Sequence, residues 1–161
     1  MIHSVKNEQL IKQILTSAKT VAMVGVSFTK KEESSTIIRR RPSIIVMKYL
    51  QEFGYRVVPV NPFSVGKKIH GETIVAKLED ITIPIDVVNV FRPSKETPIF
   101  AEQTVKIEAK VLWLQFGIQN SKAQEIAKLA DITCIQNRCI KQEYQKLFLK
   151  TNPVFPALLS N

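Results

Sequence analysis

Apolar positions along the chain alternate between two patterns. Leu10, Ile11, Ile14, Leu15 and Ala18 recur at three- and four-residue spacing, which predicts an amphipathic helix over residues 7–19 with Asn7 as its N-cap. Val21-Ala22-Met23-Val24-Gly25-Val26 is a short unbroken apolar run, the pattern of a parallel strand covered on both faces. A polar, basic loop spans residues 27–41. Pro42 suits a first helical position, Ile44, Ile45, Met47 and Leu50 outline the helix, and Gly54 stops it. Residues 55–60 predict a second strand, ended by Asn61-Pro62.

The alternation continues to the end of the chain. Residues 69–75 hold a short extended piece and residues 76–80 a helical turn. Residues 85–91 read as the third main strand, and Ser94 caps a helix running to about residue 108. Residues 110–116 form the fourth strand. Ser121 with Gln124 makes a capping-box pattern for a helix reaching about residue 130. Residues 132–136 form the fifth strand, and residues 140–149 look helical. Strands separated by helices imply right-handed crossovers. The expected fold class is α/β: a three-layer, Rossmann-like, doubly wound parallel sheet of about five strands. It forms one domain over residues 1–150, and the tail at 151–161, with Pro153 and Pro156, is irregular.

Composition narrows the picture. At 161 residues, 45% hydrophobic and 23% charged, the chain can bury a full core without metal or disulfide staples. No apolar run approaches the roughly 18 residues of a membrane span, and the first residues lack the order of a signal peptide. The expectation is a cytoplasmic protein with no membrane partner. Cys134 and Cys139 are spaced as neither a zinc knuckle nor a thioredoxin pair and are expected as reduced thiols. His3 and His70 are the only histidines and lie apart from both, so no metal site is expected. The net charge of +9 fits an anionic ligand or merely a soluble basic surface. Position favours a ligand: Lys30, Lys31, Arg39, Arg40 and Arg41 crowd one loop, offset only by Glu32 and Glu33.

In a doubly wound sheet, ligands lie beyond the carboxyl ends of the strands. The residues there are Gly25, Val26 and Ser27; Asn61 and Pro62; Phe91, Arg92, Pro93 and Ser94; Gln115, Phe116 and Gly117; and Asn137, Arg138 and Cys139. Gly25 allows close backbone approach, Ser27 adds a hydroxyl, and the following helix N-terminus suits a phosphate; a plain tight turn is the alternative. The three-glycine dinucleotide fingerprint is absent, and Asn61-Pro62 stands where an NAD site wants an acid. Arg92 either forks two phosphate oxygens or makes a surface salt bridge. Trp113, inside a strand, reads as core. Cys139 reads as a small buried residue or as a thiol activated by Arg138. No Ser-His-Asp order is credible, and Asp86 opens its strand rather than closing it. Binding without chemistry is therefore expected. An NAD(P)-binding redox or sensor protein is the alternative, because arginine accepts the extra phosphate of NADP. Aromatic content of 7% and no recognition motif argue against nucleic acid.

These segments, in this order, resemble a known family. Val24-Gly25-Val26-Ser27, Arg41-Pro42-Ser43, Val60-Asn61-Pro62, Val90-Phe91-Arg92-Pro93-Ser94, Trp113-Leu114-Gln115-Phe116-Gly117 and Asn137-Arg138-Cys139-Ile140-Lys141 are similar to those of small bacterial CoA-binding proteins. Such proteins resemble the CoA-binding domain of the succinyl-CoA synthetase α subunit, standing alone. The resemblance covers roughly residues 8–148. It implies a Rossmann-like fold with coenzyme A, or an acyl-CoA, across the strand ends. It places Gly25, Val26, Ser27 and Lys30 near phosphates, with Arg41 and Ser43 following, and Asn61 and Pro62 near the nucleotide. Phe91, Arg92, Pro93 and Ser94 would line the groove, and Gln115, Gly117, Asn137, Arg138 and Cys139 would close its far side. The loop between Ser27 and Arg41 is longer than the family's usual link. The chain lacks the synthetase's ATP-grasp partner and phosphohistidine segment, so ligase activity does not carry over.

Overall fold

A computed structural model describes residues 2–26 and 42–149. The chain opens with α1 (Ile2–Ser17), β1 (Thr20–Val24), α2 (Pro42–Glu52) and β2 (Arg56–Val60). A small hairpin follows, β3 (Lys68–Ile69) with β4 (Glu72–Thr73), and then a 3-10 turn at Leu78–Asp80. The second half runs β5 (Val87–Val90), a 3-10 turn at Ser94–Glu96, α3 (Thr97–Lys106), β6 (Val111–Leu114), α4 (Ser121–Leu129), β7 (Thr133–Ile135) and α5 (Ile140–Tyr144). A π turn, Gln145–Leu149, extends α5.

The five longer strands form one parallel sheet in the order β2-β1-β5-β6-β7. The chain works outward from β1 to β2, then returns to β1's other side and continues through β5. The order therefore reverses between β1 and β5, which is where doubly wound sheets open a crevice. Every residue of β5 and β6 is buried, the polar Asn89 of β5 included. One face packs Ile11 and Leu15 of α1, Met47 and Leu50 of α2 and Ile140 of α5 against Met23 and Trp113. The other packs Ala101 of α3 and Ala123 and Ala127 of α4 against Ala22, Val88 and Leu112. This is the Rossmann-like, three-layer sheet expected. Trp113 is fully buried in that core. Among the described residues no helix is long and apolar enough to cross a membrane.

Three local expectations need correction. Helix α1 starts at Ile2, so Asn7 lies inside it rather than capping it. An exposed asparagine costs a helix only a few tenths of a kcal/mol, roughly, and the burial of Ile11, Ile14 and Leu15 outweighs that. Helix α4 is capped by Asn120, one residue ahead of Ser121: its Oδ1 accepts the N–H of Ala123 at 2.9 Å. Ser94 does not cap α3. A 3-10 turn intervenes, and the Ser94 hydroxyl accepts the N–H of Gln119 at 3.1 Å instead.

Candidate functional site

The crevice at the strand-order reversal contains a cavity of about 660 Å³. Its floor is the end of β1 (Val24, Gly25) and of β2 (Val60, Asn61). One wall is the turn after β2, with Pro62, Phe63, Ser64 and Lys67, and the return segment Ala76-Lys77. The opposite wall is Arg92 and Glu96, continued along α3 by Phe100 and Gln103. Among the described residues, Lys67, Lys77 and Arg92 thus line the same cavity as the carboxylate of Glu96.

The floor is fixed by side chain and backbone together. Asn61 is buried, and its Nδ2 donates to the carbonyl of Val26 at 2.9 Å. Its Oδ1 accepts the N–H of Phe63 at 2.9 Å, an Asx-type turn. Gly25 donates its N–H to Val60 at 3.0 Å and adopts φ +96°, which an L side chain strains to reach. A Cβ on Gly25 would lie 3.0 Å from Cδ of Arg92 and 3.3 Å from the carbonyl carbon of Phe91. The Arg92 stem therefore rests directly over the glycine. Behind β2, Val75 adds a parallel bridge: Asn61 donates to its carbonyl at 2.9 Å, and Val75 donates to Pro59 at 3.1 Å. The short extended piece expected near residues 69–75 thus covers the sheet edge.

Arg92 is ion-paired. Its Nε and Nη2 donate to the two carboxylate oxygens of Glu96 at 2.8 and 3.0 Å. The Glu96 hydrogen bonds raise Arg92 above its ordinary value and hold the Glu96 carboxyl below its own. The pair is only half-buried, with side chains 45% and 34% exposed.

A second cluster occupies the exits of β6 and β7. Gly117 donates its N–H to Asn137 Oδ1 at 2.6 Å, and Asn137 donates its own to Ile118 at 3.0 Å. Arg138 accepts from Trp113 Nε1 at 2.8 Å through its carbonyl, while its guanidinium donates to Glu143 at 3.1 Å. Gln115 is buried; its Oε1 accepts from Asn89 Nδ2 at 3.1 Å and from the N–H of Ile140 at 3.4 Å. Cys139 and Phe91 are half-buried against the core under α2 and α5. Ser94 joins this cluster through Gln119 and through its carbonyl, which accepts from Asn120 Nδ2 at 3.0 Å.

The expected site residues therefore divide. Gly25, Asn61, Pro62 and Arg92 share the cavity. Gln115, Gly117, Asn137, Arg138 and Cys139 sit together farther along the same carboxyl edge, and Phe91, Pro93 and Ser94 lie at the exit of the strand between. Val26 is fully buried, and Ser43 is buried in the first turn of α2. Ser27, Lys30 and Arg41 lie outside the described residues. Sequence reasoning missed Phe63, Ser64, Lys67, Lys77, Glu96, Phe100 and Gln103. One signal was present: positions 96, 100 and 103 fall on a single helical face just past a strand end.

Comparison with known proteins agrees with this architecture. A family described as CoA binding domain matches residues 19–145. The uncharacterized protein YneT of Bacillus subtilis (strain 168) is 37% identical over 131 residues, 81% of this chain and 89% of YneT. A solved Thermus thermophilus protein, cell-free ID.343, superposes with a TM-score of 0.78 at 33% identity, covering 88% of this chain and 98% of its own. A hypothetical protein from Pyrococcus horikoshii OT3 gives 0.75 at 35% identity, covering 87% of this chain and 91% of its own.

Proposed function

The chain belongs to the CoA-binding domain family, and from that premise we propose that it holds coenzyme A, or an acyl-CoA, across the carboxyl edge of its sheet without chemistry of its own. The observation that carries this is the cavity where the strand order reverses, with Lys67, Lys77 and Arg92 on its walls and the Gly25 turn at its floor. Its volume of about 660 Å³ lies within the roughly 300–1,000 Å³ typical of small-molecule sites. Coenzyme A carries a 3′-phosphate and a pyrophosphate, and Lys67, Lys77 and Arg92 match that charge. In this reading the nucleotide end sits between Asn61-Pro62-Phe63 and Phe100. The pyrophosphate meets Gly25 and Arg92, with Ser27, Lys30, Arg41 and Ser43 as further contacts. The pantetheine arm leaves past Phe91, Pro93 and Ser94 toward Gln115, Gly117, Asn137, Arg138 and Cys139.

Calorimetric titration of the purified protein with coenzyme A, acetyl-CoA, NADPH and ATP tests this reading. Saturable binding of coenzyme A and acetyl-CoA, tighter than that of NADPH or ATP, is expected. Absence of coenzyme A binding, or a clear preference for NADPH, would overturn it, the latter in favour of a dinucleotide redox or sensor role.

A further inference from the structure

Both arginines at the strand exits are met by a glutamate a short distance along the chain: Arg92 by Glu96 and Arg138 by Glu143. The Arg92 pair is the informative one, because both partners line the cavity. Glu96 takes the Arg92 fork with both of its oxygens, the same bidentate geometry a phosphate would use. The Arg92 stem rests over Gly25 at the cavity floor, and the side chain is 45% exposed. Glu96 holds the Nε–Nη2 edge of the guanidinium, so a phosphate that takes that same edge must displace the carboxylate.

We propose that Glu96 is a tethered counter-anion, which a ligand phosphate displaces from Arg92 on binding, and that it restrains the site's affinity and denies Arg92 to free inorganic phosphate. This rests on the coenzyme A reading of the cavity. The carboxylate is held beside Arg92 at a high effective concentration. A lone phosphate ion brings nothing else to compete with it. A nucleotide anchored by its other groups in the cavity delivers its phosphate at a comparable effective concentration and wins. Because Glu96 is an internal counter-ion, ligand binding at Arg92 also depends less on ions from solution.

The test is a cycle of four proteins: wild type, Glu96→Gln, Arg92→Ala and the double variant. Each is titrated with coenzyme A at low and at moderate salt, alone and against inorganic phosphate, after its melting temperature confirms folding. From the usual worth of half-exposed ion pairs, Glu96→Gln should tighten coenzyme A binding by roughly two- to fivefold at low salt. That gain should shrink as salt rises, inorganic phosphate should compete more strongly, and the gain should largely vanish in the Arg92→Ala background. A Glu96→Gln protein that binds coenzyme A no better than wild type overturns the proposal. So does a gain that survives intact without Arg92. Failure of all four folded proteins to bind coenzyme A would instead remove the underlying reading, and the proposal with it.

Discussion

Replacing Gly25 by alanine tests the junction of fold and site most directly. The residue holds φ +96°, and left-handed backbone costs an L side chain about 1–2 kcal/mol. The new Cβ would also meet two neighbours of different stiffness. Cδ of Arg92 at 3.0 Å belongs to a flexible stem and can swing away. The carbonyl carbon of Phe91 at 3.3 Å is backbone next to β5 and must yield a few tenths of an ångström. The combined destabilisation is expected at about 1–3 kcal/mol. With a urea m-value of about 2 kcal/mol/M, the unfolding midpoint should fall by about 1 M. Displacing the Arg92 stem should separately weaken coenzyme A binding by about 1 kcal/mol, roughly fivefold, as part of a charge-assisted hydrogen bond is lost. Urea unfolding followed by Trp113 fluorescence reads the first effect, and calorimetry under fully folding conditions reads the second. A variant with the wild-type midpoint and undiminished binding would refute the placement of the Arg92 stem against Gly25.

Three other outcomes are expected. Arg92→Ala should weaken coenzyme A binding by about 1.5–3 kcal/mol in calorimetry, and an unchanged affinity would remove Arg92 from the site. Asn61→Ala strips a buried partner from the Val26 carbonyl and one from the Phe63 N–H; a loss of about 2–3 kcal/mol in chemical denaturation is expected, and a change under about 0.5 kcal/mol would argue against the buried bond. Asp86 reports on acid stability. Burial pushes its carboxyl upward, but hydrogen bonds from the N–H groups of Lys19 and Thr20 and from the Thr20 hydroxyl, with Lys110 nearby, outweigh this and hold it below the usual value. A depressed folded-state pKa contributes stability above the unfolded-state value and loses it as pH falls through the folded one. Stability should therefore drop as pH descends through and below the ordinary aspartate range. Asp86→Asn should flatten that acid limb, and an identical limb in the variant would show that other carboxylates produce it.

The strands were legible because β5 and β6 are buried on both faces: Val111–Leu114 is an unbroken apolar run, and Val87–Val90 is broken only by Asn89. The strand-end rule pointed to the carboxyl edge of the sheet, where Gly25, Asn61 and Arg92 line one cavity. What escaped was partner choice across the fold. Ser94 reads as a helix cap from its neighbours, yet its hydroxyl is taken by Gln119, twenty-five residues on. Asn120 won the cap of α4 because its amide reaches the N–H of Ala123, a choice that Ser121 and Gln124 alone do not decide. The partner of Arg92 was nearer to hand: a four-residue spacing to Glu96 is the distance at which opposite charges meet on a helical turn. Lys67, Lys77 and Phe63 join the cavity only through the fold-back after β2, and no local periodicity announces that turn.

The two-ended grip of Asn61 has a mechanical consequence. One amide clamps the exit of β1 on one side and the bend after β2 on the other, so those two parts of the pocket shift as a single piece. The step from the floor of the cleft to its β2-side wall is thereby set by the chain itself. A guest that fits is received by a frame already set, and little of its adhesion goes into straightening the chain around it.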